Sequence, residues 1–315
     1  MASDAKMVVA VDGTIWGTIG GGCIESAVVE SAIEVAGGGA PRFVSHTLTA
    51  DAAGDVGLSC GGTADLFLEP IVATPEMTEL YGRVADSIRD RVPAVVCTSV
   101  NWDTGPKKAA ILVDSGLENR SLSIGGLEIP NSLVDSAGRQ GNVFLDEDLG
   151  VLVEYLPRKP RVVIFGAGHV GVEIAKAASA VGFHVVVYDD RSEFANAERI
   201  PWANEVYVRD FRSLFNELEV DEDDYLLATT RGHNYDALVV EHIAELGAKY
   251  VGMLGSRRKR ALIFRALEAA GVSADALAQV RTPIGLDIGA DTPAEISVSV
   301  VAELVKVRRK GDREA

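Results

Sequence analysis

Apolar and polar positions follow two different patterns along the chain, and the change falls near residue 157. In the first part the pattern is mixed. MVVAVDG, residues 7 to 13, reads as a short strand closing in a turn. From Cys23 the apolar residues Ile24, Ala27, Val28, Ala32 and Val35 recur at helical spacing, with Glu25, Glu30 and Glu34 on the other faces. GGGAP at 37 to 41 ends that helix. ADLFLEP at 64 to 70 predicts a strand stopped by Pro70, and residues 75 to 91 predict a second amphipathic helix.

After LPRKP at 156 to 160 the pattern becomes regular. RVVIF, HVVVY, EVYV, YLLATT and YVGML are short apolar runs, most of them separated by helical stretches. That alternation predicts βαβ units and a parallel sheet buried on both faces. The Pro-rich, basic break is the expected boundary, giving domains 1–157 and 158–315.

The first domain contains a weak internal repeat. Residues 5 to 36 and 106 to 137 each read strand, Asp-containing turn, Ile-Gly-Gly step, helix. ADLFLEPI at 64 to 71 is echoed by GVLVEYLP at 150 to 157. The second copy is preceded by AVVCTSV and the turn NWDTG; the first has no such prelude, so the expectation is a chain that begins late, without an edge strand. The second copy also carries Leu127 where the first has Gly22 and Cys23, which makes it scaffold if the site needs a thiol.

Composition narrows the class. The 315 residues carry 30 basic and 46 acidic side chains, a net charge of −16, so a duplex nucleic-acid binder is set aside. No apolar run reaches the roughly 20 residues that span a bilayer, and the N-terminus does not read as a signal peptide. Three cysteines are too few for a disulfide framework, so a reducing, cytoplasmic compartment is expected.

The strongest local signal is RVVIFGAGHVGVEIAKAASAVGFHVVVYDDR, residues 161 to 191. Gly166, Gly168 and Gly171 form G-x-G-x-x-G between a strand and a helix, and Asp189 closes the next strand. Such a turn brings backbone amides and a helix N-terminus to a pyrophosphate, and the acid accepts from a ribose hydroxyl, favouring NAD-like over NADP-like ligands. Arg191 nearby blunts that preference. His169 either contacts a ligand or fills space. The predicted fold is α/β: a C-terminal Rossmann-like parallel sheet domain behind an N-terminal mixed α+β domain. At later strand ends, Arg231 and His233 offer a fixed cation and a titratable group. Gly255 and Ser256 open a helix bearing Arg257, Arg258, Lys259 and Arg260, a candidate anion site in an acidic protein. Thr292, Pro293 and Glu295 predict a capped helix start.

Two cysteines sit in glycine-rich turns. Cys23 follows Gly20, Gly21 and Gly22 at a helix start, a setting that favours thiolate. Cys60 stands in S-C-G-G, ahead of Gly61 and Gly62. Bare amides beside soft sulfur suit an anionic ligand carrying sulfur or a soft metal, whereas structural zinc would want four closed ligands. The competing reading is two small buried side chains beside tight turns. Cys97, within AVVCTSV, reads as core.

The set GTIGGGCIE, GLSCGGTADLFLEP, VVIFGAGHVG…VYDDR, TTRGHNYD, YVGMLGSRRKR and PIGLDIGADTPAEISVSVVAEL resembles the XdhC/CoxI family, maturation factors of molybdenum hydroxylases such as xanthine dehydrogenase. The resemblance runs over nearly the whole chain and is weakest over the second repeat. It implies a protein that binds the molybdenum cofactor, as molybdopterin or its cytosine dinucleotide, and protects it during sulfuration. Delivery to an apo molybdenum hydroxylase follows, with a cysteine desulfurase-type sulfur donor and a homodimer as further implied partners. The Rossmann-like domain then binds the cofactor's nucleotide or a separate NAD(P), and Cys23 and Cys60 are candidate molybdenum or sulfur contacts. The rival readings are an NAD(P)-dependent oxidoreductase using His233 as acid, and a nucleotide sensor without chemistry.

Overall fold

The structure is a computed structural model that describes residues 5–20, 23–48, 62–102, 105–113 and 120–310. Gly21, Gly22, Cys60 and Gly61 therefore lie outside the described residues. The chain divides into two compact units, Met1–Arg158 and Lys159–Ala315. Among the described residues no helix is long and apolar enough to cross a membrane.

The first unit repeats one motif. Its first copy runs β1 (Met7–Val9), β2 (Ile15–Gly17), α1 (Cys23–Ala36), β3 (Arg42–Leu48) and β4 (Gly62–Leu68). Then come α2 (Pro75–Arg89) and β5 (Ala94–Ser99). The second copy is β6 (Lys108–Leu112), β7 (Arg120–Ile124), α3 (Asn131–Ser136), β8 (Val143–Asp146) and β9 (Val151–Leu156). The two copies are not built alike at their centres. The second is a five-stranded antiparallel sheet in the order β7-β6-β5-β9-β8, whereas in the first β1 pairs with β2 and β3 with β4 in separate two-stranded ladders.

Side-chain alternation explains the packing. In the second copy Val95, Cys97, Ala109, Ile111, Val151 and Val153 face Leu133 and Val134 of α3. Val96 and Ala110 face the other way and lie under Leu80 and Val84 of α2. Thr74 caps α2 by accepting from the Met77 amide at 3.2 Å, with Pro75 at the first helical position, where its missing N–H costs nothing. In the first copy Ile24, Val28 and Val35 of α1 pack on Leu68, with Met7, Val44 and Leu66 beside them.

The second unit is a parallel sheet in the order β12-β11-β10-β13-β14, from β10 (Arg161–Phe165), β11 (His184–Asp189), β12 (Glu205–Val208), β13 (Tyr225–Ala228) and β14 (Tyr250–Met253). Helix α4 (His169–Ala180) follows β10, α5 (Phe211–Leu214) follows β12, α6 (His233–Ile243) follows β13, and α7 (Arg257–Ala270), α8 (Ala274–Gln279) and α9 (Pro293–Lys310) follow β14. The strands carry almost unbroken apolar runs because both faces are covered. Ile174 and Ala178 of α4 and Val300 and Leu304 of α9 pack on one face; Val239 and Ile243 of α6, with Ile263 and Leu267 of α7, pack on the other. The start of α9 is the capping box expected from its sequence: the Thr292 amide donates to Glu295 Oε2 at 2.9 Å, and the Glu295 amide donates to Thr292 Oγ1 at 3.3 Å.

Candidate functional site

All five parallel strands end at one edge of the second sheet, and the order reverses beside β10. Open α/β sheets bind ligands there. The turn after β10 shows what each glycine does. Gly166 has φ +121°, and a Cβ there would sit 2.4 Å from the Thr229 carbonyl oxygen. A Cβ on Gly171 would sit 1.9 Å from the Gly166 carbonyl oxygen, so helix and strand meet only because both residues lack side chains. Gly168 is different: a Cβ there would have nothing within 4 Å. Gly168 is also the N-cap of α4 and brings no side chain to cap the helix. The open amides at that end, beside free space, suit an anion. His169, the first residue of α4, is exposed.

Asp189 ends β11 and is buried. Its carboxylate accepts from the Ala167 amide at 2.8 Å and the Arg191 amide at 3.1 Å, and the Arg191 guanidinium closes on it through Nε at 2.8 Å and Nη2 at 2.9 Å. Burial pushes its pKa up, but the Arg191 guanidinium and the two amides outweigh that, and the net is below the ordinary carboxylate value. The residue expected to meet a ribose thus also holds the glycine turn and engages Arg191.

Arg231, in the loop after β13, donates to Asp190 Oδ2 at 2.7 Å and to the Tyr235 hydroxyl at 3.1 Å. Since β11 and β13 flank β10, this ion pair joins the loops on either side of the glycine turn. His233 is the first residue of α6.

Ser256 caps α7, accepting from the Lys259 amide at 3.2 Å. The Lys259 ammonium is engaged: it donates to Asp236, a carboxylate with no exposed surface, and to the Leu254 carbonyl at 3.0 Å. Asp236 in turn accepts from the Thr230 amide at 3.1 Å and hydroxyl at 2.7 Å. This pair ties the loop after β13 to the loop after β14. Arg257 and Arg258 at the start of α7 are exposed, and Gly255 lies against the Lys259 stem. Sequence reasoning passed over Asp236, although its place in the first turn of α6 behind Gly232 was the available signal.

In the first unit, Cys23 opens α1. The turn leading to it is held from the helix side. Glu25 accepts from the Thr18 hydroxyl and from the Ile19 amide, the latter at 3.2 Å, and the Gly20 amide donates to Thr18 Oγ1 at 3.2 Å. Gly20 has φ +129° and is exposed. Gly62 begins β4, directly after the stretch that holds Cys60. Cys97 has no exposed surface; burial, helped by the charge of Glu154, pushes its thiol up to about 12, which suits an inert core residue. Among the described residues no cluster of three or more His, Cys, Asp or Glu side chains could hold a metal ion.

Residues 162–304 match the model of the XdhC Rossmann domain, and residues 4–47 match that of the XdhC and CoxI family. The chain belongs to the XdhC and CoxI family. Members and relatives differ in length. The chain is 26% identical over 305 residues to the uncharacterized protein YqeB of Escherichia coli (strain K12), with 96% of this chain covered but only 40% of that protein, so it spans under half of that relative's length. It is 24% identical to a probable xanthine dehydrogenase subunit of Bacillus subtilis (strain 168), covering 97% of this chain and 88% of the relative. It is 23% identical to the molybdenum cofactor insertion chaperone PaoD of Escherichia coli (strain K12), covering 96% and 78%. A crystal structure from Bacillus halodurans, named a xanthine dehydrogenase, superposes with a TM-score of 0.78 at 25% identity, over 100% of this chain and 90% of the other.

Proposed function

We propose that this family member is an accessory protein of molybdenum hydroxylase maturation. It binds the molybdenum cofactor as cargo, protects it while the sulfido ligand is installed, and passes it to the apo-hydroxylase. The observation that carries this reading is the similarity, along 96% of the chain, to a relative named a molybdenum cofactor insertion chaperone. The geometry supports it in two places. The free space at Gly168 and the uncapped start of α4 suit the phosphates of a nucleotide, whether the cofactor's own or NAD(P). The exposed backbone at Gly20, fastened by Glu25 ahead of Cys23, suits the sulfur-rich end of a pterin dithiolene. In this reading the chain's own residues bind and shield; none of them is assigned an acid–base step.

The test is to purify the protein anaerobically from a host that makes molybdenum cofactor, denature it, and assay pterin fluorescence, molybdenum and released nucleotide together. Stoichiometric pterin is expected. Cys23→Ala and Cys60→Ala are expected to keep the fold and lower pterin retention. NAD(H) without pterin, even after cofactor is offered, would overturn the carrier reading.

A further inference from the structure

The edge of the second sheet beyond β14 carries a polar cavity separate from the glycine turn. Residue 281 extends that sheet by one position: the Arg281 amide donates to the Val251 carbonyl at 2.9 Å, and the Arg281 carbonyl accepts from the Met253 amide at 2.9 Å. Beside it, between the first turn of α7, the end of α8 and the middle of α9, lies a cavity of about 470 Å³. Its lining includes Arg260, Gln279, Arg281, Thr282 and Glu303. Small-molecule sites occupy roughly 300–1,000 Å³, so the volume fits one. The glycine turn follows β10, and β13 and β14 stand between it and residue 281. At roughly 4.8 Å per strand, Arg281 is about 14 Å across the sheet from β10.

The charges in this cavity are arranged for an anion. Glu303 is buried, and three donors engage its carboxylate: the Tyr250 hydroxyl at 2.5 Å, the Gly285 amide at 2.7 Å and Arg281 Nη1 at 3.3 Å. Glu303 thereby aims Arg281, whose guanidinium also lies 5.8 Å from the centre of the Tyr250 ring. Arg260 is exposed, lies 4.8 Å over the Phe264 ring, and makes no ion pair among the described residues. The lining thus presents two guanidiniums against one carboxylate that is already answered. In a chain of net charge −16, a concave site lined by cations draws anions. A second observation is independent of charge. Thr282 lines the cavity and is 9% exposed, and its hydroxyl is buried with no hydrogen-bond partner among the described residues. An unpaired buried hydroxyl is a standing cost to a fold, and a ligand oxygen in the cavity removes it.

We propose that this cavity is a second small-molecule site, for a metabolite that bears a carboxylate or phosphate group next to a further oxygen. Arg281, aimed by Glu303, donates to the oxyanion from a fixed side. Arg260 leaves Phe264 and closes on it from the other side. The Thr282 hydroxyl pairs with the neighbouring oxygen. The planar fork of a guanidinium matches carboxylate and phosphate alike, so the oxyanion is the chemistry the two sources share. The site follows from the cavity and its lining alone and does not depend on the cofactor reading.

The experiment titrates the full chain with succinate and, separately, with inorganic phosphate, against sodium chloride at matched ionic strength. Thermal unfolding and hydrogen exchange by mass spectrometry are read together. At least one of the two oxyanions is expected to raise the Tm saturably and to slow exchange over residues 278–284, while chloride does neither; which one acts tells carboxylate from phosphate. Arg260→Gln is expected to weaken that binding roughly tenfold and to leave unfolding without probe unchanged. Thr282→Val is expected to keep or raise the stability of the unliganded chain and to weaken binding roughly fivefold. Gly168→Ala is expected to leave the response intact, which separates this cavity from the glycine turn. Four results would overturn the site: no saturable response to either probe, the same response to chloride, protection at residues 166–170 in place of 278–284, or parental binding in both Arg260→Gln and Thr282→Val.

Discussion

The Asp189 carboxylate accepts a hydrogen bond from the Ala167 amide at 2.8 Å, so the end of β11 holds the glycine turn that closes β10. Asp189→Asn removes the charge that Arg191 closes on and is expected to cost about 1–3 kcal/mol, read by urea unfolding near neutral pH. The pH dependence follows from the lowered pKa. A depressed carboxylate contributes stability above its unfolded value and loses it as pH falls through the folded one. The gap between the parent and Asp189→Asn is therefore expected to hold at pH 5 to 7 and to close progressively below about pH 4. A gap unchanged at low pH would remove the charge from this account.

The three glycines of the turn are predicted to separate cleanly. Gly171→Ala places a Cβ against the Gly166 carbonyl and Gly166→Ala against the Thr229 carbonyl, both backbone atoms that cannot swing aside. Each is expected to unfold the second unit or cost about 3 kcal/mol or more. Gly168→Ala meets open space, and its cost is expected to be about 1 kcal/mol or less, as a poorer N-cap. Weaker nucleotide binding in Gly168→Ala, with a near-parental melting curve, would mark the turn as a ligand contact.

Lys259 reads from sequence as a ligand cation, and its place against Asp236 makes a different first effect expected. Lys259→Met leaves a fully buried carboxylate without its partner, so a loss of about 3–5 kcal/mol is predicted. Adding Asp236→Asn should restore much of it. If Lys259→Met instead keeps its stability and loses only ligand affinity, the loop-tying role is wrong.

Lys108 and Lys6 offer an internal comparison. Lys108→Met is expected to cost about 3 kcal/mol, because Glu69 and Tyr81 close around a buried ammonium. Lys6→Met removes an exposed pair and is expected to cost about 1 kcal/mol or less. For Lys108, burial lowers the pKa, but the charge of Glu69 and the hydrogen bonds to Glu69 and the Tyr81 hydroxyl outweigh it and raise the net value. Its contribution is thus complete below the ordinary lysine value and is lost only as pH rises through the higher folded one. Urea midpoints of the two variants at pH 8 decide the comparison.

Cys97 should be silent to thiol reagents. With no exposed surface and a thiol pushed up to about 12, it is expected to resist iodoacetamide at pH 8 in native protein and to react only after denaturation. Peptide mapping checks this, and rapid native labelling of Cys97 would contradict the packing around β5.

The parallel sheet was legible because burial on both faces leaves runs such as RVVIF and HVVVY with no polar side, a pattern that a half-exposed strand does not give. The capping box at Thr292 and Glu295 was legible because it is local. The repeat was legible as a succession of elements. The connections that settle side-chain roles were not, because they join residues far apart in sequence. Nothing near YVGMLGSRRKR signals that Lys259 reaches back to Asp236, or that Lys108 meets Glu69. A run of cations reads as free charge until its counter-charges are located. Asp189 shows the same limit in another form: the motif supplies its position, and only the fold shows that Ala167 and Arg191 already engage it.

Two ion pairs cross between the copies: Lys6 of the first meets Glu154 of the second, and Lys108 of the second meets Glu69 of the first. Neither half carries the counter-charge for its own lysine. A half made alone, or grafted from a divergent relative, would present a lysine and a glutamate with no one to answer them.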